Sequence, residues 1–401
     1  MLRKVLGRAL MASAFALGPV AMAAAQDKTV KIGVLTDMSG FFSTFGGRGS
    51  VEAAKMAAEE FNGVVAGRKI EILFADHQNK PDIASTITRQ WFDLDKVDAV
   101  ADLPGTATAL AALNLARAQN KMVLISGSAS SELTGKSCLA SSFQWTFDTY
   151  SQAHGAVSAV VKQGLKKWFF ITADYTFGHD QERMATEELT RLGGEVVGSV
   201  RVPLDATDYG SFILKAQASG ANVLALATSS GTITAMRQGA EFGLPASGVR
   251  IVPMNFLITQ AHALGPEITA GSFSVTAFYW GKSPESRDWS KRFFQRVGAM
   301  PTDIQAGVYS SVRHYLKAIE SAGTTDTLAV AAKMREMPVN DIFATDGRIR
   351  SDGRMVQNLL LLEAKPAQDV KEPWDYFVVK AKLPSADVFM PERTECPLVK
   401  K

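Results

Sequence analysis

Runs typical of β-strands alternate with amphipathic runs typical of helices along most of the chain. The first pair is Lys31–Asp37, a β-branched apolar run, followed by Gly49–Phe61, whose apolar residues recur at helical spacing. The alternation continues with strands predicted at 69–76, 97–103 and 122–126 and helices at 82–92 and 108–119. Such alternation predicts βαβ units, and therefore a parallel sheet that helices cover on both faces.

The alternation starts again after residue 150, with strands predicted at 167–174, 195–202, 223–228, 249–254 and 272–278. Two α/β halves of similar size are therefore expected within the 401 residues. The later residues predict helices at 286–297 and 304–321, then antiparallel strands marked by the turn signals Asp346-Gly347 and Asp352-Gly353. These late elements are expected to add to one half or the other.

The first 25 residues carry the features of a secretory signal peptide. Arg3, Lys4 and Arg8 form a basic start, the stretch 9–17 is apolar, and Ala23-Ala24-Ala25 supplies the small residues for cleavage. A membrane anchor is the alternative, but it needs about 20 apolar residues, more than this run provides. We therefore expect an exported mature protein without membrane insertion.

The charge of the remaining chain is balanced. The sequence has 43 basic and 40 acidic residues, and three of the basic ones lie within the signal peptide, where no acid occurs. A body without net charge offers no electrostatic reason to bind nucleic acid or a membrane surface. Neither partner is expected.

The chain has two cysteines, Cys138 and Cys396. An exported protein reaches an oxidising compartment, in which disulfides form. The two residues are one possible pair, which would tie the last residues back onto the body of the protein. Two unrelated free thiols are the alternative, because sequence does not give the Cα separation that a bridge requires.

Motifs that carry catalytic chemistry are missing from the sequence. The five histidines form no HExxH motif and no short-range pair, and neither GxSxG nor GxxxxGK[ST] occurs. The glycine-rich segment 46–49 lacks the GxGxxG spacing of a dinucleotide site and is interpreted as a flexible helix start. The protein is therefore not expected to be an enzyme, nor to hold a metal ion or a cofactor.

Two loops lie where α/β proteins bind ligands. In open sheets, ligands bind outside the carboxyl ends of the strands, near helix N-termini whose free N–H groups favour anions. The loops 102–108 and 126–131 follow predicted strands and are rich in threonine or serine. Each is a candidate ligand contact, with plain helix capping as the alternative interpretation.

Four parts of the chain carry a family resemblance: KIGVLTDMSGFFSTFGGRGSVEAAKMAAEEFNG, VDAVADLPGTATALAALNLA with MVLISGSASSELTG, WFFITADYTFGHD, and PTDIQAGVYSSVRHYLKAIESAGTTD. In this order and spacing they resemble the type I periplasmic solute-binding proteins of ABC transporters, in the leucine/isoleucine/valine-binding family. The resemblance covers essentially the whole mature chain. The aromatic residues Phe45, Phe177 and Phe278-Tyr279-Trp280 look similar to members that import aromatic acids.

The resemblance implies an α/β fold of two Rossmann-like lobes, joined by three crossings, that close around a ligand by hinge motion. It divides the chain into an N-terminal lobe of 26–148 plus 281–341, a C-terminal lobe of 149–280 plus 342–390, and a tail of 391–401. It also implies a periplasmic monomer that catalyses no reaction and presents its closed form to a membrane permease.

The resemblance also assigns ligand contacts in the first lobe. Phe45 falls where an aromatic residue covers the ligand, and Thr106 falls where a hydroxyl binds the ligand carboxylate. Ser128 and Ser130 match a backbone and hydroxyl pair after the next strand. Phe278, on the strand that returns to this lobe, is interpreted either as a wall of the cleft or as hinge packing.

In the second lobe, Phe177 falls where relatives often offer a tyrosine, so a phenolic hydroxyl is expected to be missing. Ser229 matches another contact position. Asn255 stands where amino-acid-binding members carry an acid that pairs with the ligand ammonium, and an amide cannot neutralise that charge.

These assignments predict a small carboxylate ligand, with an aromatic acid favoured. Asp174, Asp205 or Asp208 could still bring a negative charge from the second lobe. A branched-chain amino acid or an amide therefore remains the alternative ligand. A sensory ligand-binding protein is a less favoured function with the same architecture.

Overall fold

The computed structural model describes Met1 and residues 29–229 and 231–399. The predicted signal peptide, apart from Met1, lies outside the described residues. The first lobe contains β1 (Thr29–Thr36), β2 (Val64–Val65), β3 (Arg68–Asp76), β4 (Ala99–Asp102), β5 (Met122–Ile125) and β6 (Ser142–Gln144). Their order in the sheet is β2-β3-β1-β4-β5-β6, and every neighbouring pair is parallel except β2 with β3.

Helices cover both faces of this sheet. The early ones are α1 (Gly47–Glu59), α2 (Pro81–Asp93) and α3 (Thr106–Gln119). Later parts of the chain return to the same lobe as α10 (Pro284–Val297), α11 (Asp303–Ala322) and α12 (Thr327–Glu336). Close packing explains a glycine inside β1, since a Cβ on Gly33 would lie 2.4 Å from the Trp91 ring of α2.

The second lobe has its own parallel sheet of β7 (Lys167–Ala173), β8 (Glu195–Val202), β9 (Val223–Ala227) and β10 (Arg250–Pro253), in the order β10-β9-β7-β8. The helices of this lobe are α4 (Thr149–Val161), α5 (Thr176–Arg191), α6 (Gly210–Ala218), α7 (Thr232–Glu241), α8 (Ile258–Leu264) and α9 (Pro266–Thr269). An antiparallel sheet adds β11 (Phe273–Thr276), β14 (Leu359–Ala364) and β15 (Phe377–Leu383), and α13 (Ser385–Val388) follows. The predicted fold class, two α/β lobes of the flytrap type, is confirmed.

Three segments cross between the lobes: the one from β6 to α4, the one from β11 to α10, and a third before β14. The strands β12 (Arg348–Ile349) and β13 (Met355–Val356) form a hairpin ahead of that third crossing. Arg354, directly before β13, forms a parallel β-bridge through its backbone with Gln144 of β6. Its buried guanidinium donates hydrogen bonds to the carbonyls of Thr146 and Phe147 at 2.6 and 3.1 Å. The hairpin therefore lies against the first lobe, whereas the predicted boundary after residue 341 placed it in the second.

Ordinary capping chemistry explains where α11, the late helix that reaches the first sheet, begins and ends. Thr302 caps α11 by accepting a hydrogen bond from the Gln305 N–H, and the Gln305 Oε1 accepts one from the Thr302 N–H. The helix ends at Gly323, whose φ of 66° suits glycine.

The C-terminal tail is fastened to the first lobe. Cys138 and Cys396 form a disulfide with their Cα atoms 5.8 Å apart, across a sequence separation of 258 residues. Arg393 reinforces this attachment, since its guanidinium donates to the Ser131 hydroxyl at 3.1 Å. Within the described part of the chain, no helix is long and apolar enough to cross a membrane.

Candidate functional site: the cleft between the lobes

The carboxyl ends of both parallel sheets face a cleft between the lobes. In the first lobe, the loops after β1, β4 and β5 and the start of α11 reach it; in the second, the loops after β7, β9 and β10 do. The residues that line it are Phe42, Phe45, Gly105, Thr106, Gly127, Ser128, Ala129, Phe147, Tyr175, Phe177, Ser229, Asn255 and Ile304. This is where open α/β sheets bind ligands.

Six of the eight sequence-predicted contacts meet in this cleft: Phe45, Thr106, Ser128, Phe177, Ser229 and Asn255. The other two lie elsewhere. The Ser130 hydroxyl accepts a hydrogen bond from the Glu132 N–H and so caps a short 3₁₀ turn. The centroid of the Phe278 ring lies 5.9 Å from that of Trp289 and 6.3 Å from that of Phe343. This placement corresponds to hinge packing and not to a wall of the cleft.

Thr106 is the first residue of α3, and the turn before it exposes the helix start. Leu103 and Gly105 adopt positive φ angles of 59° and 89°, and no side chain caps the helix. The N–H groups of the first turn therefore lack intrahelical partners, and together with the helix dipole they favour an anionic group. Thr106 places its hydroxyl beside them.

Two polar side-chain atoms in the cleft are buried without a hydrogen-bond partner among the described residues. They are the Ser128 Oγ in the first lobe and the Asn255 Oδ1 in the second. Buried polar atoms are almost always hydrogen-bonded in folded proteins, so an unpartnered one indicates a group that a ligand or water satisfies. The two atoms come from opposite sides of the cleft.

Tyr175 was not predicted from the sequence, and it corrects one expectation. Its hydroxyl lies 2.7 Å from the Ser229 Oγ, so a phenolic hydroxyl is present in the second-lobe wall although Phe177 has none. Burial raises the pKa of Tyr175 well above its ordinary value. The phenol therefore stays neutral, and it can donate or accept a hydrogen bond.

Aromatic and aliphatic side chains fill most of the space between the lobes. Phe42 and Phe45 have ring centroids 5.8 Å apart, as do Tyr175 and Phe177 on the facing lobe. The cavity among them is about 20 Å³, which is the space for roughly one water molecule. A larger ligand therefore enters only if the lobes separate or the rings move.

No described residue that lines the cleft carries a formal charge at neutral pH. Asp174, which sequence reasoning kept as a possible charge, is paired with His179 at 2.8 Å, and none of Asp174, Asp205 and Asp208 lines the cleft. An ammonium group bound between the lobes would therefore have no acidic partner among the lining residues.

Asp102 lies directly beneath the cleft floor. A Cβ on Gly127 would be 2.8 Å from its Oδ1 and 2.7 Å from the Pro104 nitrogen, so only glycine fits there. Burial raises the pKa of Asp102 to about 6, although the hydroxyls of Ser50 and Thr36 act in the opposite direction. The carboxyl therefore titrates near neutral pH, under the loop that offers Ser128.

At the mouth of the cleft, a hydrogen-bonded group that we call the Asp180 latch connects the lobes. Asp180 on α5 accepts hydrogen bonds from the Ser131 N–H at 3.1 Å and the Ser131 hydroxyl at 3.2 Å. The Thr149 hydroxyl and Arg183 also donate to its carboxylate. In this conformation, the two bonds from Ser131 join the first lobe to the second.

The described residues contain no group of three or more histidine, cysteine, aspartate or glutamate side chains that could hold a metal ion. The polar atoms of the cleft are hydroxyls, amides and backbone groups, which bind and orient an organic molecule. No nucleophile–base pair is among the lining residues described above.

The sequence matches the model of the periplasmic binding protein family over residues 29–369. A solved periplasmic binding protein from Burkholderia mallei is 40% identical, and the alignment covers 93% of this chain and 100% of that one with a TM-score of 0.90. The periplasmic ligand-binding protein of a branched-chain amino acid ABC transporter from Burkholderia xenovorans is 34% identical, with 91% and 99% covered and a TM-score of 0.83.

A more distant solved structure shares the fold. It is a solute-binding protein of an ABC transporter from Rhodopseudomonas palustris in complex with 3,4-dihydroxybenzoic acid. It is 22% identical, with 89% of this chain and 98% of that one covered and a TM-score of 0.81.

Proposed function

Because the chain belongs to the periplasmic binding protein family, we propose that it is the solute-binding component of an ABC importer. In this proposal it captures a small carboxylate, with an aromatic acid favoured, in the cleft between its lobes. It works in the periplasm after export and delivers the ligand to a membrane permease. Capture and release involve no covalent chemistry.

One observation carries the choice of ligand: the cleft offers donors for an anion and no charged side chain for a cation. The open start of α3, with Thr106, is suited to a carboxylate. Leaving an ammonium unpaired in a closed cleft costs several kcal/mol, whereas a carboxylate bound by N–H and hydroxyl groups is compensated. This favours an acid that has no amino group.

The walls of the cleft support an aromatic ligand. Phe42, Phe45 and Phe147 come from the first lobe, and Phe177 and Tyr175 from the second, so a flat ring can be enclosed between faces and edges of rings. The Asn255 amide and the Tyr175 hydroxyl can then bind a ring substituent such as a hydroxyl. The relative from Rhodopseudomonas palustris, which holds 3,4-dihydroxybenzoic acid, is consistent with this choice but shares only the fold.

Binding proceeds by closure. The first lobe receives the carboxylate at the start of α3, and rotation about the three crossings brings Tyr175, Phe177 and Asn255 over the ring. The Asp180 latch then forms at the mouth, and water is excluded. Selectivity follows because each buried polar atom must find a partner.

A branched-chain amino acid is the second candidate ligand, because the 34% identical relative is named for a branched-chain amino acid transporter. An amide ligand fits the same uncharged polar groups. A sensory ligand-binding protein is the less favoured function. It would use the same cleft but would not deliver its ligand to a permease.

The experiment that tests the proposal is competition calorimetry. The mature protein is titrated with benzoate, 4-hydroxybenzoate and 3,4-dihydroxybenzoate, and separately with leucine. We expect saturable binding of at least one aromatic acid and none of leucine, with Asn255→Asp reducing the affinity for the acid. Micromolar binding of leucine without a response to any aromatic acid would overturn the choice of ligand.

A further inference from the structure

A second cavity, larger than the one in the cleft, lies near the hinge. It has a volume of about 730 Å³ and lies beside the second and third crossings, which line it with Ala277, Gly281, Gln357 and Asn358. Helix α11 contributes from the first lobe, and β14 and β15 contribute from the second. We call it the hinge cavity. Its volume falls in the range of small-molecule sites, and the cleft residues play no part in it.

Two carboxylates of the hinge cavity, those of Asp341 and Glu60, already have hydrogen-bonding partners within the protein. Asp341 accepts from the Ser310 hydroxyl at 2.7 Å and from the N–H groups of Phe343 and Ala344 at 2.8 and 3.0 Å. Glu60 is bonded to Tyr309 and Arg313. These carboxylates therefore have partners, and so does the Arg313 guanidinium.

Glu285 is the remaining acid of the cavity wall. It is exposed at the start of α10, where its own backbone N–H and the Ser283 hydroxyl lower the pKa of its carboxyl. The free N–H groups of the first helical turn and the helix dipole also favour its negative charge. All three acids therefore have hydrogen-bonding partners of their own, and none of them forms an ion pair with Lys282 or Lys382.

Two lysines of the hinge cavity, Lys282 and Lys382, form no ion pair with a described residue. Lys282, at the end of the second crossing, donates one hydrogen bond to the Phe343 carbonyl at 2.6 Å and lies 5.2 Å from the centre of the Phe278 ring. Lys382 on β15 forms no ion pair with any described residue. Each ammonium has three donors, so most of the donors of this pair remain for a ligand.

The two ammonium groups are close enough to affect each other. Burial lowers the pKa of Lys282 to about 8; the charge of Lys382 adds to this lowering, and Asp341 opposes it. The two like charges repel each other across the cavity, and an anion bound between them would relieve that repulsion. The apolar side chains of Phe343, Leu360 and Val379 complete the wall.

We propose that the hinge cavity is a second binding site, for a small organic dianion of the dicarboxylate class, which Lys282 and Lys382 hold from the two sides of the hinge. The site goes beyond the proposed function and needs no ligand in the cleft. Because two of the three crossings line the cavity, its occupant changes the balance between the open and closed lobes. By linkage, the cleft ligand and the dianion then change each other's affinity by the same factor.

The test uses aliphatic dicarboxylates, since these lack the ring that the cleft is proposed to prefer. The mature protein is titrated calorimetrically with succinate, glutarate and adipate, and with adipamide as the uncharged counterpart. We expect saturable binding of at least one dicarboxylate and none of adipamide. Absence of saturable binding for all three acids would overturn the proposal.

Charge variants locate the site. Lys382→Gln should weaken dicarboxylate binding by tenfold or more, while Lys371→Gln, which removes an exposed lysine of the same lobe outside the cavity, should leave it unchanged. Lys382 is exposed on its strand, so its variant is expected to fold. Equal affinities for the wild type and Lys382→Gln would refute the assignment, whatever the cleft binds.

Proton uptake supplies an independent readout for Lys282. A bound dianion stabilises the charged ammonium, so binding at about pH 8.5 should take up protons, and binding at about pH 7 should take up far fewer. The other titratable groups on the cavity wall are Glu60, Glu285, Tyr309, Arg313, Asp341 and Lys382. Titration in two buffers of different ionisation enthalpy measures the uptake. Uptake that is the same at both pH values would contradict the role of Lys282.

Discussion

Replacing Asp180 by asparagine should open the cleft. Two hydrogen bonds of the Asp180 latch run between the lobes, from the N–H and the hydroxyl of Ser131, and the Asp180 side chain is only 12% exposed. A hydrogen bond to a charged group contributes roughly 1.5–3 kcal/mol and a neutral one roughly 0.5–1.5, so loss of the charge costs about 1 kcal/mol for each bond. The closed form is then less stable by about 2 kcal/mol, or about 30-fold in population.

Hydrogen exchange measures this effect without any ligand. The Ser131 N–H is protected while the latch is closed, so in Asp180→Asn its exchange should be faster by about 30-fold. Cleft ligands should dissociate faster by a similar factor, because most affinity changes appear in the dissociation rate. Glu187→Gln is the matched control, since Glu187 lies on the same helix, contacts Arg183 and is 60% exposed.

The pH dependence of the latch has a definite sign. Burial tends to raise the pKa of Asp180, but hydrogen bonds from Thr149, Ser131 and Arg183 outweigh it and hold the pKa below its ordinary 3.8. A lowered carboxyl pKa gives a stabilisation that is complete above the unfolded value and is lost only as the pH falls through the folded one. The stability of the closed form should therefore not change through titration of Asp180 between about pH 5 and 8. If the Ser131 N–H of Asp180→Asn exchanges within twofold of the wild-type rate, the latch does not stabilise the closed form.

Four further variants probe the site and the fold. Thr106→Val should weaken binding of a cleft carboxylate by roughly 1–3 kcal/mol in calorimetry and leave the unliganded unfolding midpoint almost unchanged; equal affinity would remove Thr106 from the site. In the wild type, the affinity for a carboxylate should fall as the pH rises through about 6, because the ionised Asp102 repels the ligand, and Asp102→Asn should abolish this fall. Arg354→Met should lower the free energy of unfolding by about 3–5 kcal/mol in urea titration, since it leaves buried partners unpaired. Thiol titration of the unfolded, unreduced protein should find no thiol in the wild type and one in Cys396→Ser, whose unfolding free energy should be lower by a few kcal/mol.

The alternation of strands and helices was predictable because it follows from the hydrophobic pattern of single segments. The predicted strand at 167–174 is β7, Lys167–Ala173, almost to the residue. The strands β2 and β6 were missed, since two or three residues carry no periodic signal. The lobe to which the β12–β13 hairpin belongs was also not predictable, because a long-range contact decides it: the Arg354 guanidinium that bonds the first crossing.

The candidate site was predictable where topology alone brings residues together. Thr106 and Ser128 follow neighbouring parallel strands, and Asn255 follows a strand of the second sheet, so their meeting follows from the fold. Phe42 and Ile304 were missed because neither directly follows a predicted strand, and nothing in their local sequence indicates the cavity that they line. Tyr175 had such a sign, since it lies in the loop after β7, two residues before Phe177.

The disulfide between Cys138 and Cys396 sets an order of events during synthesis. At a synthesis rate of about 5–20 residues per second, the 258 residues between the two cysteines take roughly 13–50 seconds to be made. The residues of β1 to β6 are all made long before Cys396 exists, so Cys138 has no partner while that part of the chain is synthesised. The bond can therefore form only after the whole sequence of the first lobe has been made, and it then ties the tail to that lobe. A chain cut short before residue 396 keeps every strand but exposes one unpaired thiol.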